Sequence, residues 1–235
     1  MKMNLDLPTY EELAQHLPGI WDLLTEEQRA IVRKNGRIYS FKKNEGFYFR
    51  GDTPTYLMCL IKGKAKIYKE GVGGKTQITR MIGPLEFFGY RAFFAKEIYQ
   101  TSATAFESAL AYFLPMNVVS NLILMNSKLG LFFIRELSVD LGNSESRTLN
   151  LTQKHIRGRL AESLLFLRNS YGLEEDNMTI NIYLSREDLA NLSNMTASNA
   201  IRTLSNFVSE HLIIMDGRRI KIIDEERLKK ISHIG

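Results

Sequence analysis

The sequence predicts an α+β protein in which short antiparallel strands are followed by a long helix and then by a region of short helices that ends in a hairpin. Seven short β-rich segments, separated by glycines, lie between residues 36 and 115. Repeated short strands with turn residues between them are typical of an antiparallel barrel or sandwich. A long apolar-rich segment follows residue 126, and two helical segments with capping residues precede the last pair of apolar runs.

Composition limits the class of protein. The chain has 235 residues, enough for one large domain or two ordinary ones, and its 44% hydrophobic and 24% charged residues are typical of soluble globular proteins. No apolar run is long enough to span a bilayer, and the first residues lack the apolar core of a signal peptide. Cys59 is the one cysteine, which excludes an intrachain disulfide and a cluster of several thiolate ligands. We therefore expect a cytoplasmic protein without a membrane partner.

The net charge of +5 is compatible with nucleic-acid binding but does not establish it. Residues 151–235 hold 12 Lys and Arg against 11 Asp and Glu, so this part of the chain is nearly neutral. A nucleic-acid site there would depend on where the basic side chains lie rather than on their total number.

The first elements are predicted from the spacing of apolar residues. Residues 9–34 have helical spacing, with a fresh capping segment at residues 25–28 before Ile31 and Val32. From Gly36 the spacing becomes that of strands. The predicted strands are 38–41, 47–49, 56–61, 65–68, 76–81, 101–105 and 109–114.

A short helix is predicted at residues 117–125, and Ser127 is predicted to cap a long helix that runs to residue 149. The apolar residues of the long helix are too numerous for one face. They include Leu129, Leu131, Phe132, Phe133, Ile134, Leu137, Val139 and Leu141. One side could pack on the barrel and the other on a second copy of the chain; the alternative is a fully buried helix in a monomer.

Another helix with apolar residues at helical spacing is predicted from Ile156, and it ends at Gly172, since glycine suits a helix stop. A strand is predicted at residues 179–183. The boundary between the two parts is expected near residues 149–152. This gives a β-domain at 1–125, a long dimerisation helix at 126–150 and a C-terminal domain at 151–235.

Residues 184–210 have the pattern of two short helices joined by a tight turn. Ser185, followed three residues later by Asp188, can cap the first helix, and Thr196 can cap the second. The predicted packed side of the second helix carries Ala200, Ile201, Leu204, Phe207 and Val208, and its other side carries Ser198, Asn199, Arg202, Ser205 and Asn206. This is the arrangement of a helix-turn-helix, whose second helix enters the major groove of DNA.

Two apolar runs follow, at residues 212–214 and 220–223, on either side of Asp216-Gly217. Such a pattern predicts a β-hairpin, here a wing with Arg218 and Arg219 at its tip. The alternative interpretation is an ordinary helical hairpin followed by a β-hairpin, but an outer helix face free of bulky apolar side chains favours DNA binding.

The order of these elements resembles that of the Crp/Fnr family of bacterial transcription regulators, over about residues 17–231. The markers of the resemblance are Gly51-Asp52, Gly63, residues 87–89, residues 157–161 and Arg202. It implies a β-roll (a cupin-like jelly roll) that senses an effector, a helix that forms a homodimer, and a winged helix that reads a palindrome in double-stranded promoter DNA. RNA polymerase is the further partner that the resemblance implies.

The resemblance assigns the DNA contacts to named positions. Recognition-helix contacts of the family fall on Ala197, Ser198, Ile201 and Arg202, with Asn199 as a further candidate. An arginine such as Arg202 can bond bidentately to a guanine edge. Where many members carry a glutamate this chain has Ser198, so the DNA target is expected to differ from the family's best-known sites. Positioning contacts to phosphate are assigned to Thr196, Ser185, Arg186 and Arg218.

The resemblance also places an effector pocket at Phe88, Gly89, Tyr90, Arg91, Gln100 and Thr101. Members that bind cyclic AMP use a glutamate for the ribose and an Arg-Ser pair for the phosphate, and the matching residues here are Tyr90, Gln100 and Thr101. A phosphate needs a positive partner or a nest of donors, so cyclic AMP is not expected. The lone Cys59 argues against an iron–sulfur cluster.

Haem stays a candidate cofactor, because one His or Met can ligate it. The four histidines, His16, His155, His211 and His233, lie outside the predicted barrel, and no metal site is predicted.

Two other classes of function are alternatives to a DNA-binding regulator: a barrel that signals through a protein partner, and an enzyme. A ligand-binding barrel that signals through a protein partner is compatible with the nearly neutral C-terminal part. An enzyme is not indicated, since no paired carboxylates, nucleophile motif or metal-spaced His and Cys residues are present. The Gly-rich residues 71–75 lack the spacing and context of a phosphate-binding loop and predict a hairpin turn.

Overall fold

The structure, a computed structural model, describes residues 2–3, 17, 19–71 and 75–234. Its described residues form two compact units, one made of those up to 69 together with 79–141, and the other of 70–78 together with 142–234. The start of the predicted N-terminal helix, at residues 9–16, and the tip of the predicted turn, at 72–74, lie outside the described residues.

Antiparallel strands form two sheets, as the sequence predicts. The described strands of this part are β1 Lys2–Met3, β2 Arg37–Phe41, β3 Gly46–Tyr48, β4 Tyr56–Lys62, β5 Ala65–Glu70, β6 Thr76–Ile82, β7 Phe87–Phe88, β8 Ser102–Ala105 and β9 Ala109–Pro115. One sheet has the order β1-β2-β9-β4-β7 and the other β3-β8-β5-β6. The centre of the first sheet is β9, where Phe113 is the partner of Arg37 in β2 on one side and of Met58 in β4 on the other. The predicted α+β class with a β-roll is confirmed.

Aromatic rings and small residues fill the space between the sheets. Four alanines of β8 and β9 are buried there: Ala103, Ala105, Ala109 and Ala111. Their small side chains leave room for rings, and Phe41 lies 4.2 Å from Phe47 and 5.8 Å from Phe113 between ring centroids. Dense packing of this kind leaves few voids larger than a water molecule.

The helices that cover the roll begin with a 3₁₀ turn, Trp21–Leu23, and continue with α1 Glu26–Asn35, α2 Arg91–Phe94, α3 Met116–Met125 and α4 Ser127–Gln153. The cap predicted at residues 25–28 is confirmed. The hydroxyl of Thr25 accepts from the Gln28 N–H at 3.3 Å, and the Gln28 side chain accepts from the Thr25 N–H at 3.1 Å. The helical spacing predicted for residues 9–34 is confirmed for α1, whereas the described residues 19–25 form a turn, the 3₁₀ helix and the cap.

The long helix is present, but its predicted cap is wrong. Ser127 lies within α4, and the side-chain oxygen of Asn126 accepts from the Lys128 N–H at 3.1 Å instead. The Asn126 amide also donates to the Leu23 carbonyl at 2.8 Å and to Gln28 at 3.1 Å. These bonds connect the start of α4 to the N-terminal helices. The helix ends at Gln153 rather than at residue 149.

The two sides of α4 differ in burial, as its composition predicts. Leu129 and Phe133 are buried in a cluster that also contains Trp21, Val32 and Leu114. On the other side, Leu131, Ile134 and Leu141 are 65%, 61% and 62% exposed. Their spacing of three and seven residues places them along one stripe of the helix. One apolar side of α4 is therefore left uncovered in the single chain.

The second unit consists mainly of helices. Its elements after α4 are α5 Ile156–Tyr171, α6 Arg186–Leu192, α7 Ala197–Ser209, β10 Ile213–Asp216, β11 Arg219–Ile222 and α8 Glu225–Ile234. The helix α5 packs against α6, α7 and α8, and it ends at Gly172, as predicted. The strand predicted at residues 179–183 is reduced to isolated bridges, Thr179 to Lys221 and Leu173 to Ile180.

No single helix among the described residues has the length and apolar composition needed to cross a membrane. The pair α3 and α4 has them only when the two are joined, and they are bent by 119° where they meet.

Candidate nucleic-acid interface

The helix α6 begins at the predicted cap. The Ser185 hydroxyl accepts from the Asp188 N–H at 3.0 Å and donates to the Asp188 carboxylate at 2.7 Å. One side of α6 is buried through Leu189, Ala190 and Leu192. The cap and this apolar side fix where the first helix of the motif starts and which side faces inward.

The turn between α6 and α7 is held by buried polar contacts. Ser193 is fully buried, and its hydroxyl donates to that of Ser163 in α5 at 2.8 Å. Asn194 has a φ of 49°, a left-handed conformation that Asn tolerates better than most residues. The Met195 backbone N–H then donates to the Ala190 carbonyl oxygen at 3.0 Å. The turn therefore has a defined backbone and a fixed contact with α5.

The helix α7 begins at the second predicted cap, where the Thr196 hydroxyl accepts from the Asn199 N–H at 3.3 Å. Its buried residues are Ala200, Thr203, Leu204 and Phe207. Helical spacing predicts Ile201 and Val208 on this side, which is wrong, because they are 49% and 38% exposed. Each helical residue is rotated by about 100° about the helix axis from the one before. Ile201 is therefore turned away from the side on which Ala200 is buried and lies on the outer face.

The outer face of α7 presents most of the residues assigned to DNA contact. Thr196, Ala197, Ser198, Ile201 and Arg202 are exposed, whereas Asn199 is half-buried. Arg202 donates through Nη2 to the Asn199 side-chain oxygen at 3.0 Å. Small polar side chains surround one long cationic side chain, so a surface with grooves and acceptor groups could approach α7 closely.

The wing is a hairpin with a two-residue loop, Gly217 and Arg218, between the paired residues Asp216 and Arg219. Gly217 has a φ of 56°, and the loop places Arg218 in an exposed position. The guanidinium of Arg219 instead pairs with Glu174 and lies 5.9 Å from the Tyr183 ring. Of the two arginines predicted at the wing tip, Arg219 is therefore held in an ion pair, and Arg218 is exposed in the loop.

Arg186 connects α6 to the wing. Its Nη2 donates to the Gly217 carbonyl at 2.8 Å, and its buried Nη1 has no hydrogen-bond partner among the described residues. Burial, with a smaller contribution from the charge of Arg218, lowers the pKa of Arg186. The structure thus assigns Arg186 a contact that positions the wing, in addition to the phosphate contact predicted for it.

Two arginines of α5 contact the turn before α7 and the residue that follows α7. The sequence alone predicts no role for them. The Arg157 guanidinium pairs bidentately with the Glu210 carboxylate, with one bond of 2.6 Å, and lies 5.0 Å from the Phe207 ring. These hydrogen bonds lower the pKa of Glu210. Arg159 donates to the carbonyl of Asn194 in the turn at 2.8 Å. The signal in the sequence was the segment at 157–161.

The six residues of the predicted effector pocket differ in burial. Phe88 is buried between the two sheets, whereas Tyr90 is buried in the cluster under α4, 5.3 Å from the Phe133 ring. The other four are Gly89, Arg91, Gln100 and Thr101, of which Arg91 and Gln100 are exposed. The guanidinium of Arg91 lies 3.5 Å from Glu97. An effector pocket at these residues stays a prediction.

The possible haem ligands are spread over the chain. His155, His211 and His233 all belong to the second unit, and His16 lies outside the described residues. Among the described residues, His, Cys, Asp and Glu side chains form no group of three that could hold a metal ion.

Comparison with known proteins gives two family matches. Residues 38–126 match the model of the cyclic nucleotide-binding domain, and residues 158–231 match that of the Crp-like helix-turn-helix domain. A CRP-like cAMP-activated global transcriptional regulator of Mycobacterium tuberculosis is 22% identical over 213 residues, which is 90% of this chain and 95% of that protein.

Solved structures show the same fold. FixK2 from Bradyrhizobium japonicum has a TM-score of 0.77 at 19% identity, covering 84% of this chain and 97% of that one. TTHA1359, a transcriptional regulator of the CRP/FNR family from Thermus thermophilus, has a TM-score of 0.70 at 20% identity, covering 83% and 98%.

Replacing Arg157 with lysine should lower the free energy of unfolding by about 1 kcal/mol. Lysine cannot form the bidentate pair with Glu210 or stack on Phe207 as a guanidinium does. The control is Arg227→Lys, since Arg227 reaches the same carboxylate at 3.6 Å from a more exposed position and should change stability by less than about 0.5 kcal/mol. Denaturant unfolding of both variants measures the difference, and equal losses would contradict the assigned role of Arg157.

Proposed function

Because this chain belongs to the Crp/Fnr family of DNA-binding transcription regulators, we propose that it binds promoter DNA as a homodimer and regulates transcription rather than catalysing a reaction. The observation that carries this proposal is the outer face of α7. That face is exposed and carries Arg202 among small polar side chains, with Ile201 and Val208 as its large apolar residues, and Thr196 caps the helix.

Arg202 is the residue that we propose reads a base. Its guanidinium is held by Asn199 at 3.0 Å, and an arginine placed at the floor of the major groove can donate two hydrogen bonds to guanine. Ser198, Ala197 and Ile201 would lie against neighbouring base edges, where a hydroxyl can bond to several bases and an apolar side chain favours a thymine methyl group.

The remaining residues would position the protein on the sugar–phosphate backbone. Thr196 lies at the N-terminus of α7, where free N–H groups favour phosphate. Ser185 caps α6 at the same kind of helix end, and Arg186 and Arg218 lie at the wing turn. Contacts of this kind add affinity without sequence information.

The homodimer is proposed from α4. Its stripe of Leu131, Ile134 and Leu141 is exposed in the single chain, and a contiguous apolar stripe marks an interaction surface. A second copy would cover it by pairing the same stripe with itself, as in a parallel coiled coil. Two copies would also supply two α7 helices for two half-sites. RNA polymerase is the further partner that we propose.

We propose that the effector, if the roll takes one, is not cyclic AMP. The positions expected to hold the phosphate are Gln100 and Thr101, neither of which is charged, and Arg91 is exposed beside Glu97. Haem stays a candidate, without a described histidine in the first unit to support it.

Replacing Arg202 with alanine should weaken binding to DNA from upstream of the protein's own gene by about 5- to 150-fold, the effect of losing one bidentate base contact. Fluorescence anisotropy at a fixed salt concentration measures it. The control is Arg37→Ala, which removes the same charge from an exposed position in the first unit.

If Arg202→Ala bound as tightly as the wild type, with the same site preference, α7 would not be the reading helix. If the wild type bound DNA without any dependence on salt, counterion release would be excluded, and a barrel that signals through a protein partner would be favoured instead.

Replacing Ile134 with glutamate should convert the dimer to a monomer, because a charge would enter an interface that desolvates it. Analytical ultracentrifugation at matched concentrations measures the mass. The neighbouring Arg135 is exposed as well, so Arg135→Glu tests a charge change beside the stripe and should leave the dimer intact. A wild-type monomer at micromolar concentration, or a dimer that survives Ile134→Glu, would contradict the assigned interface.

A further inference from the structure

A pair of stacked tyrosines lies in the interior of the roll, next to the predicted effector residues. Tyr48 ends β3, and Tyr99 directly precedes Gln100 and Thr101. The two ring centroids are 3.7 Å apart and the ring planes differ by 13°. Both side chains are buried, at 7% and 4% exposure. We call these two residues the tyrosine pair.

Tyr99 is held from three directions. Its backbone N–H donates to the Asp52 carbonyl at 3.0 Å, and its carbonyl accepts from the Gly51 N–H at 2.9 Å. Its hydroxyl donates to the Gly89 carbonyl at 2.8 Å, and its ring is stacked on Tyr48. Moving Tyr99 out of the interior would break the hydroxyl bond and the stack together, so the pair is part of the packed structure of the roll.

The space beside Gly89 is occupied. Gly89 has a φ of +85°, and a Cβ at that position would lie 2.4 Å from Cε of Met58 and 3.2 Å from the Tyr99 hydroxyl oxygen. One added carbon would require the end of the Met58 side chain to move, and it would also lie only 3.2 Å from the Tyr56 carbonyl oxygen. Phe88, the neighbouring residue, packs edge-on against Phe47 at 5.2 Å. The turn expected to hold an effector therefore has side chains of this chain directly against it.

The charges around the pair are also unsuited to a cyclic phosphate. Burial raises the pKa of Tyr48 and of Tyr99, so both hydroxyls are neutral at physiological pH. The charges of Arg80 and Arg91 both act on Tyr48. Arg80 is already bonded to Asp140 at 2.6 Å and to Glu86 at 3.3 Å, and Arg91 is paired with Glu97 at 3.5 Å. A buried phosphate without a positive partner would carry an uncompensated desolvation cost. A cyclic nucleotide does not fit the residues present.

We propose that the tyrosine pair is a built-in occupant of the effector site, so that the roll takes no cyclic nucleotide and its turn at Gly89 is held in one conformation by this chain's own side chains. The regulatory meaning of this proposal rests on the proposed function. Its test uses ligand binding without DNA, so that either proposal can fail without the other.

The first measurement uses the full-length wild-type protein with cyclic AMP and with cyclic GMP. Calorimetric titration and thermal unfolding at nucleotide concentrations up to about 1 mM, a weak-binding limit, should show no saturable heat and no shift in Tm. Saturable binding of either nucleotide would overturn the proposal. Since no variant is involved, this result does not depend on whether a mutant folds.

The second measurement uses Tyr99→Ala in the full-length chain. Alanine keeps the Cβ, so the space left has the shape of phenol, and engineered cavities in packed interiors bind small aromatic molecules. At one hundred times its Kd, phenol should raise the Tm of the variant by about 5 °C or more. It should not shift the wild type or Tyr99→Phe, in which the ring remains.

A folded Tyr99→Ala protein that gains no affinity for phenol would overturn the proposal. If that variant does not fold, as judged by circular dichroism, Tyr48→Ala removes the other ring of the pair and carries the same expectation. Equal phenol binding by the wild type and the alanine variant would also overturn it, because the site would then not be occupied in the native chain.

Discussion

The position of α7 depends on hydrogen bonds from α5 to the turn that precedes it. The buried Ser193 hydroxyl reaches Ser163, and Arg159 donates to the Asn194 carbonyl. Buried polar groups are costly to leave unpaired, so the turn stays in contact with α5. At the other end of α7, Arg157 holds Glu210. The outer face of α7 is therefore presented by a helix whose direction is fixed at both ends.

The wing is also positioned by hydrogen bonds within the second unit, whereas the roll is held together by the packing of its own core. Arg186 at the start of α6 donates to the wing turn at Gly217, so the exposed Arg218 is placed relative to α7 by a short chain of contacts. In the first unit, buried alanines of β8 and β9 make room for rings, and the tyrosine pair is locked by Gly51, Asp52 and Gly89. One unit presents polar side chains outward, and the other fills its interior with aromatic side chains.

Short-range patterns in the sequence predict most of the helix caps. The caps at Thr25, Ser185 and Thr196 were predicted because their partners lie three residues away. The bond from Asn126 to Leu23 was missed because the two residues are 103 positions apart. The local cap that Asn126 forms with the Lys128 N–H was assigned one residue too late, to Ser127.

Helical spacing alone predicts Ile201 on the packed side of α7, because apolar residues are expected to be buried. The assignment of Ile201 and its neighbours to DNA contact comes from the family resemblance and stays a prediction. Which side chains fill the roll beside Gly89 depends on how distant strands meet, and no spacing in the sequence encodes it.

The central claim is that two copies of α7 read DNA sequence. Selection of double-stranded DNA from a random library by the full-length protein, followed by sequencing, tests it most directly. An inverted repeat should be enriched, with a guanine in each half-site. Its half-site centres should lie about 10 base pairs apart, which is one helical turn, or a multiple of that distance. Recovery of no enriched sequence, or of a single unrepeated half-site, would contradict it.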